Sequence, residues 1–201
     1  DIALLREMGG NLHVGHTSKA ESIEMIRAAK AEGLTLTCEV TPHHLFGWDC
    51  DYRVNPPLRE EADVLALIEG IRDRTVDVLA TDHAPHTPED KQKNMAGISN
   101  IEHAAGIYLR VFHENNIPLT RFSEMISYAP AKRLGLAGGL LEKGMPADLV
   151  ILDVEEEWTL RPDEMVSRSH NTPFAGKSLR GRVLQTIVEG ECRYVYDRPA
   201  V

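Results

Sequence analysis

Short apolar runs alternate with amphipathic segments over the first two-thirds of the chain. Strand-like apolar runs cover residues 11–16, 34–40 and 76–81. Apolar residues recur at helical spacing over residues 18–30, 59–72, 101–115 and 120–134. Strands and helices in alternation predict a parallel sheet or barrel that is covered by helices.

Two of the predicted helices carry capping signals at their N-termini. Ser18 and Glu21 have the spacing of a capping box, in which two side chains bond free backbone N–H groups of the first helical turn. Thr120 is predicted to cap the last helix of this region through its hydroxyl oxygen. Both signals are local, so they predict where the two helices begin.

The pattern changes near Gly135. Glycine-rich turns lead into a continuous apolar run over residues 149–152, and residues 182–196 predict two strands around the turn Glu189-Gly190-Glu191. We therefore expect an α/β part over residues 1–134 and a small β-rich part over residues 135–201.

Composition limits the classes of partner. The 201 residues include 22 basic and 31 acidic side chains, which give a net charge of −9. This charge disfavours binding to nucleic acid or to an anionic membrane, and no apolar run approaches the roughly 20 residues that cross a bilayer. The three cysteines are odd in number and widely spaced, so we expect free thiols and a cytoplasmic protein.

Residues that can bind a metal follow the predicted strands. His16 stands at the end of the first strand, and Asp82 directly follows the third. In an α/β barrel the carboxyl ends of the strands face the active site, and imidazole with carboxylate suits a divalent transition metal. His13 lies three residues before His16, so on a strand the two side chains point to opposite sides. His16 is the expected ligand.

Each of these groups also has a simpler explanation. A lone histidine at a strand end is more often a polar core or surface residue, and Asp82 can simply cap the next helix. The pair His43-His44 can be ordinary loop, whereas the long polar loop 82–99 is of a length that is usually functional or mobile. Their joint occurrence, each shortly after a predicted strand, favours a functional site.

Four segments carry a resemblance to a known family. They are His16-Thr17-Ser18, Val40-Thr41-Pro42-His43-His44-Leu45, Val54-Asn55-Pro56-Pro57-Leu58-Arg59 and Ala80-Thr81-Asp82-His83-Ala84-Pro85-His86-Thr87. In this order they resemble the C-terminal half of class I dihydroorotases, in the cyclic amidohydrolase branch of the amidohydrolase superfamily. The similarity continues through residues 144–150 and 171–174, so it covers essentially the whole chain.

The resemblance implies a fold class and an activity. The fold is α/β, with residues 1–134 as the later part of a TIM-type (β/α) barrel and residues 135–201 as part of a small β-sandwich domain. The activity is the reversible interconversion of dihydroorotate and N-carbamoyl-aspartate in de novo pyrimidine biosynthesis, at a site with two Zn²⁺ ions. A cation of this kind lowers the pKa of its bound water and so produces a nucleophile at neutral pH.

The resemblance also implies roles for individual residues. His16 is a zinc ligand, and Asp82 is both a zinc ligand and the catalytic acid/base. Asn55 and His86 contact the substrate ring and its carboxylate. Ala96-Gly97 stands nearest to a Phe-Gly pair that contacts substrate in the family, with several residues missing beside it. His43 and His44 resemble family residues near the pocket, and we do not assign them to the metal.

The remaining family ligands have no counterpart in this chain. The chain begins at Asp1, inside a predicted helix and without an initiator methionine. The family's HxH pair, its bridging carboxylate or carboxylated lysine, a further histidine ligand and a substrate-binding arginine would precede Asp1. We therefore expect a fragment that alone neither closes a barrel nor forms the two-metal site, and that is inactive alone.

Two alternatives stay open. A non-catalytic dihydroorotase-like scaffold that binds aspartate carbamoyltransferase would keep the fold without the activity. A hydantoinase or allantoinase would keep the chemistry with another cyclic amide. As partners, the resemblance implies a small-molecule substrate, a homodimer and aspartate carbamoyltransferase, while the charge and the lack of a long apolar run predict no nucleic acid and no membrane.

Overall fold

The structure, a computed structural model, describes residues 1–197. The chain forms two compact units, Asp1–Ala104 with Arg161–Ala175 and Ala105–Leu160 with Gly176–Val201. The sequence boundary after residue 134 stays a prediction about domains.

The first unit contains a parallel sheet of three strands in the order β1–β2–β3. The strands are β1 Leu12–Val14, β2 Leu36–Val40 and β3 Val78–Leu79. Its helices are α1 Ile2–Met8, α2 Ala20–Ala31, α3 Pro42–Phe46, α4 Glu61–Arg72 and α5 Pro88–Gln92, with a 3₁₀ turn at Pro162–Glu164. This order confirms the predicted α/β class.

The core of this unit lies between the sheet and helices α2 and α4. Ile23 and Ile26 are buried on one side of α2, and Leu67 and Ile71 are buried on one side of α4. Gly70 permits the close approach of the two helices, since a Cβ atom there would lie 3.3 Å from the Ile23 side chain. The helical spacing of apolar residues therefore predicted the packed faces.

The predicted capping box of α2 is wrong. The helix begins at Ala20, the cap position is Lys19, and no side chain of the cap residue bonds the first turn. Instead the Ala20 N–H donates to the carboxylate of Asp63, on α4, at 2.8 Å. A carboxylate from another element stabilises the positive end of the helix and replaces the local cap.

The two faces of β2 differ in burial. Leu36, Cys38 and Val40 are buried, whereas Thr37 and Glu39, which alternate with them, are partly exposed. Successive side chains of a strand point to opposite faces, so Glu39 lies on the face opposite the buried residues.

The second unit contains an antiparallel sheet in the order β4–β5–β6. Its strands are β4 Leu149–Thr159, β5 Ser178–Val188 and β6 Glu191–Val195. Its helices are α6 Ala104–Glu114, whose first residue belongs to the first unit, α7 Leu119–Ser123, a π-helical turn Glu124–Tyr128 and α8 Ala129–Leu134. The described residues of this unit form one sheet, so the sandwich stays a prediction.

The predicted cap at Thr120 is also wrong. Helix α7 begins at Leu119 with Pro118 at the cap position, and Thr120 lies inside the first turn. Proline has a fixed φ that suits a helix start and lacks an N–H of its own, which explains the shift by two residues.

Two general expectations concern membranes and thiols. Across residues 1–197, every helix is too short or too polar to cross a membrane. Cys38, Cys50 and Cys192 are free thiols, as their number and spacing predicted. Cytoplasmic location stays a prediction.

Candidate active site

The two predicted metal ligands follow two strands of one parallel sheet. His16 lies just after β1, Asp82 lies just after β3, and their side chains approach with 3.7 Å between His16 Nε2 and Asp82 Oδ1. Both residues have left-handed backbone conformations, with φ of 52° and 46°. Such angles are uncommon for residues other than glycine. The structure therefore brings together the pair that the sequence predicted.

Glu39 contacts two histidines on the same face of the sheet. Its Oε1 lies 2.8 Å from His16 Nδ1, and its Oε2 lies 3.1 Å from His13 Nε2. The expectation that His13 and His16 point to opposite sides is therefore wrong. Strand β1 ends at Val14, and the left-handed turn at His16 returns its ring to the side of His13. The alternation of apolar and polar residues over 36–40 was a sequence signal that could have identified Glu39.

Burial and neighbouring charge both act on Asp82. Partial burial raises the pKa of the Asp82 carboxyl above its ordinary value, the nearby Glu39 carboxylate raises it further, and His16 opposes the change. A carboxylate whose pKa moves towards neutrality is better suited to accept and return a proton.

A fully buried histidine lies behind Asp82. His43 Nε2 is 3.5 Å from Asp82 Oδ2, and His43 Nδ1 is 2.7 Å from the side-chain nitrogen of Asn100. Burial lowers the pKa of His43 to about 2, and His44 and His16 act in the same direction. The ring is therefore neutral at physiological pH. Asn100 was not among the predicted site residues.

His44 supports the loop that carries Asn55. Thr41 caps helix α3, and its hydroxyl contacts His44 Nδ1 at 2.7 Å. His44 Nε2 lies 2.9 Å from the Pro56 carbonyl oxygen, an acceptor, so Nε2 carries the hydrogen. Asn55 is exposed and precedes Pro56 through a cis peptide bond. The substrate contact of Asn55 stays a prediction.

Three other predicted residues meet in the loop after β3. His86 Nε2 lies 2.8 Å from the Ala96 carbonyl oxygen, and a Cβ atom on Gly97 would lie 2.6 Å from the His86 ring. His86 and Ala96-Gly97 are thus one cluster, although no hydrogen bond or ion pair links this cluster directly to Asp82 in the described residues. Their role in binding substrate stays a prediction.

This loop is held by side chains that the sequence did not single out. Asn171 accepts hydrogen bonds from the His86 N–H at 3.1 Å and the Ser99 hydroxyl at 2.8 Å, and it donates to the Gly97 carbonyl at 3.1 Å. Lys91 donates to the same Gly97 carbonyl at 3.0 Å. These bonds fix the position of the His86 ring against Gly97.

We expect Gly97→Ala to destabilise the chain through a steric clash. The new methyl group would lie 2.6 Å from the His86 ring and 2.7 Å from the Ala84 carbonyl oxygen. Gly10→Ala is the matched control, because Gly10 also has a positive φ but has no atom within 4 Å of an added Cβ. Urea unfolding should show an additional loss of about 1–3 kcal/mol for Gly97→Ala relative to Gly10→Ala. Equal losses of unfolding free energy in the two variants would contradict a close contact between Gly97 and the His86 ring.

The donor set at His16 and Asp82 fits part of a metal site. An imidazole nitrogen and a carboxylate oxygen 3.7 Å apart can both reach one zinc ion at the usual distances of about 2.0–2.2 Å. Among residues 1–197, no three histidine, cysteine, aspartate or glutamate side chains converge as a metal-binding group. His16 and Asp82 are therefore a pair of candidate donors, and their role as zinc ligands stays a prediction.

Comparison with known proteins identifies the family of this chain. Residues 3–193 match the amidohydrolase family. The chain belongs to that family. Amidohydrolases are generally metal-dependent, which agrees with the chemistry of His16 and Asp82.

Individual amidohydrolases confirm the resemblance that the motifs predicted. The chain is 42% identical over 197 residues to a dihydroorotase of Clostridium botulinum, covering 96% of this chain and 50% of that protein. It spans about half the length of the curated relatives it matches.

Two solved structures share the fold of this chain. The L-hydantoinase (dihydropyrimidinase) of Arthrobacter aurescens matches with a TM-score of 0.89 and 26% identity, over 100% of this chain and 48% of that one. The inactive dihydroorotase-like domain of a Chaetomium thermophilum CAD-like multifunctional protein matches with a TM-score of 0.72 and 22% identity, over 95% and 53%. The second likeness shows the fold alone.

Proposed function

We propose that this chain provides the His16 and Asp82 part of the active site of a zinc-dependent dihydroorotase. The observation that carries the proposal is the 3.7 Å approach of His16 Nε2 to Asp82 Oδ1, beyond two strands of one parallel sheet. The 42% identity to dihydroorotases supports this substrate over other cyclic amides. Residues 1–134 would then form the later part of a (β/α) barrel.

Asp82 is the proton carrier in this proposal. A Zn²⁺ ion held by His16, Asp82 and ligands from outside this chain would supply Lewis-acid activation of water and of the ring carbonyl. The Asp82 carboxylate takes a proton from the attacking water as the new C–O bond forms. It then returns that proton to the ring nitrogen as the C–N bond breaks, which yields N-carbamoyl-aspartate. Ring closure follows the same steps in reverse.

His86 is proposed to orient the substrate. Its Nε2–H donates to the Ala96 carbonyl, so Nδ1 is the ring nitrogen left for the substrate. Nδ1 without a hydrogen would accept from a ring N–H of dihydroorotate, and Nδ1–H would donate to the substrate carboxylate. Asn55 offers an amide that can bond the ring edge, and Ala96-Gly97 offers backbone groups. Together they would hold the carbonyl in line for attack.

Activity is best tested in a chain of full family length. We expect activity when residues 1–201 are joined to the preceding half of the Clostridium botulinum dihydroorotase; this fusion is called the completed enzyme. With Zn²⁺ it should hydrolyse dihydroorotate faster than hydantoin or allantoin, as measured by turnover of the three cyclic amides. Faster turnover of hydantoin or allantoin would favour the hydantoinase type of hydrolase.

Two further outcomes decide the remaining alternatives. A completed enzyme that folds and binds Zn²⁺ but leaves dihydroorotate intact would favour the scaffold related to aspartate carbamoyltransferase. Tight stoichiometric Zn²⁺ binding by the chain alone would contradict the incomplete ligand set. Homodimer formation and a complex with aspartate carbamoyltransferase stay predictions from the resemblance.

A further inference from the structure

A small buried polar layer lies behind the Asp82 carboxylate. His43 and Asn100 both have no exposed surface. Burying polar groups costs free energy unless hydrogen bonds compensate for the lost contact with water. The partners of these two side chains therefore indicate why polar residues occupy the site.

The Asn100 amide has a defined orientation. Its nitrogen lies 3.1 Å from the Thr81 carbonyl oxygen and 2.7 Å from His43 Nδ1. A carbonyl oxygen only accepts, so the reverse orientation would place two acceptors against each other. The Asn100 Oδ1 atom has no hydrogen-bond partner in the described part of the chain, so the donors alone orient the amide.

This orientation fixes the tautomer of His43. The second hydrogen of the Asn100 amide donates to His43 Nδ1, which must therefore be unprotonated. The buried ring is neutral, so its single hydrogen lies on Nε2. That atom has no hydrogen-bond partner in residues 1–197 and lies 3.5 Å from Asp82 Oδ2, slightly longer than an ordinary hydrogen bond.

The two oxygens of Asp82 thus have different neighbours. Oδ1 approaches His16 Nε2 at 3.7 Å, and Oδ2 approaches His43 Nε2 at 3.5 Å. We infer that His43 is a positioning residue, kept in its Nε2–H form by Asn100, that fixes the rotation of the Asp82 carboxylate. Its Nε2–H attracts Oδ2 and leaves Oδ1 on the side of His16. The catalytic meaning of this contact rests on the proposed function of Asp82.

The first test reads the tautomer in the chain itself. In residues 1–201 labelled with ¹⁵N-histidine, long-range ¹H–¹⁵N spectra at pH 7 should show His43 protonated on Nε2 and unprotonated on Nδ1. Asn100→Ala should introduce the Nδ1–H form, whereas Asn115→Ala, which removes an amide that bonds the Val111 carbonyl, should not. An Nδ1–H form in the unmodified chain, or no effect of Asn100→Ala, would overturn the inference.

The contact with Asp82 has a spectroscopic signature of its own. Asp82→Asn removes the negative charge beside Nε2–H and should shift the His43 Nε2 and Hε2 resonances. Asp51→Asn, on an exposed loop, is the matched control and should leave both resonances in place. Equal spectra for the two variants would show that His43 does not sense the Asp82 carboxylate.

A donor role and a packing role are separated by two variants of similar volume. In the completed enzyme, His43→Gln retains an amide N–H near the position of Nε2, whereas His43→Met fills the space without a donor. We expect His43→Met to lower kcat by about 10–100-fold with KM changed by less than about threefold, and His43→Gln to recover most of kcat. Equal losses in the two variants would overturn the inference. If a completed enzyme that folds and binds Zn²⁺ is inactive, the proposed function fails, and the spectra of the chain alone decide the positioning contact.

Discussion

Asp82→Ala is expected to lower dihydroorotate hydrolysis by the completed enzyme by about 10³-fold or more, because in the proposed mechanism this one residue is both a metal donor and the proton carrier. The carboxylate is partly buried and its Oδ1 lies 3.7 Å from His16 Nε2. The measurement is kcat/KM for dihydroorotate at neutral pH, with the zinc content determined for each variant.

Two companion variants separate the functions of Asp82. Asp82→Asn keeps the shape and one oxygen donor but loses the ability to accept a proton, so it should lose activity even when zinc is retained. Asp51→Ala removes an exposed carboxylate and should keep full activity. Activity of Asp82→Ala within tenfold of the unmodified enzyme would remove Asp82 from the mechanism.

Acid is expected to destabilise the chain strongly between about pH 6.5 and pH 4. Burial lowers the pKa values of His44 and His103 to about 4, from an ordinary value of 6.5. In this range the unfolded chain binds protons that the folded chain excludes, so stability falls as the pH falls. Each histidine contributes about 1.4 kcal/mol per pH unit, which gives about 7 kcal/mol for both across the range. That loss is comparable to the whole stability of a typical domain, about 5–15 kcal/mol.

His103 offers the sharpest test of this acid effect. Neither ring nitrogen has a hydrogen-bond partner among residues 1–197, and the ring packs edge-on against Phe174 at 6.3 Å. His103→Leu should therefore keep the packing and lower the acid midpoint of unfolding. Urea unfolding between pH 7.5 and pH 4.5 gives the free energy of unfolding at each pH. The slope of this free energy against pH should correspond to up to one proton fewer in His103→Leu than in the unmodified chain. The exposed His113→Leu is the control, and an unchanged slope in His103→Leu would contradict the expectation.

Local sequence patterns predicted the elements better than their ends. The spacing of apolar residues predicted a helix over residues 59–72, and the structure has α4 at Glu61–Arg72. The cap of α2 could not be predicted locally because its partner, Asp63, is 43 residues from Ala20. Strand β4 extends to Thr159, beyond the apolar run, because Trp158 and Thr159 pair with Leu179 and Ser178 of β5.

The site likewise contains residues that a local sequence pattern predicted and residues that only contacts between distant positions bring together. The rule that strand ends share one edge of a sheet predicted the meeting of His16 and Asp82. Asn100 contacts His43 across 57 positions, and Asn171 contacts His86 across 85. No periodicity or short motif encodes such pairs, since they depend on how the folded chain returns to the sheet.

The left-handed conformations of His16 and Asp82 have a consequence for the history of this sequence. Each costs of order 1–3 kcal/mol, a cost that glycine at the same position would relieve. Selection for thermal stability alone would thus remove both side chains, whereas selection for chemistry opposes their loss. A lineage that abandoned catalysis would gain stability from the first substitution at either position. Under the proposed function, two strained side chains that face each other are what selection for a reaction would retain on this surface.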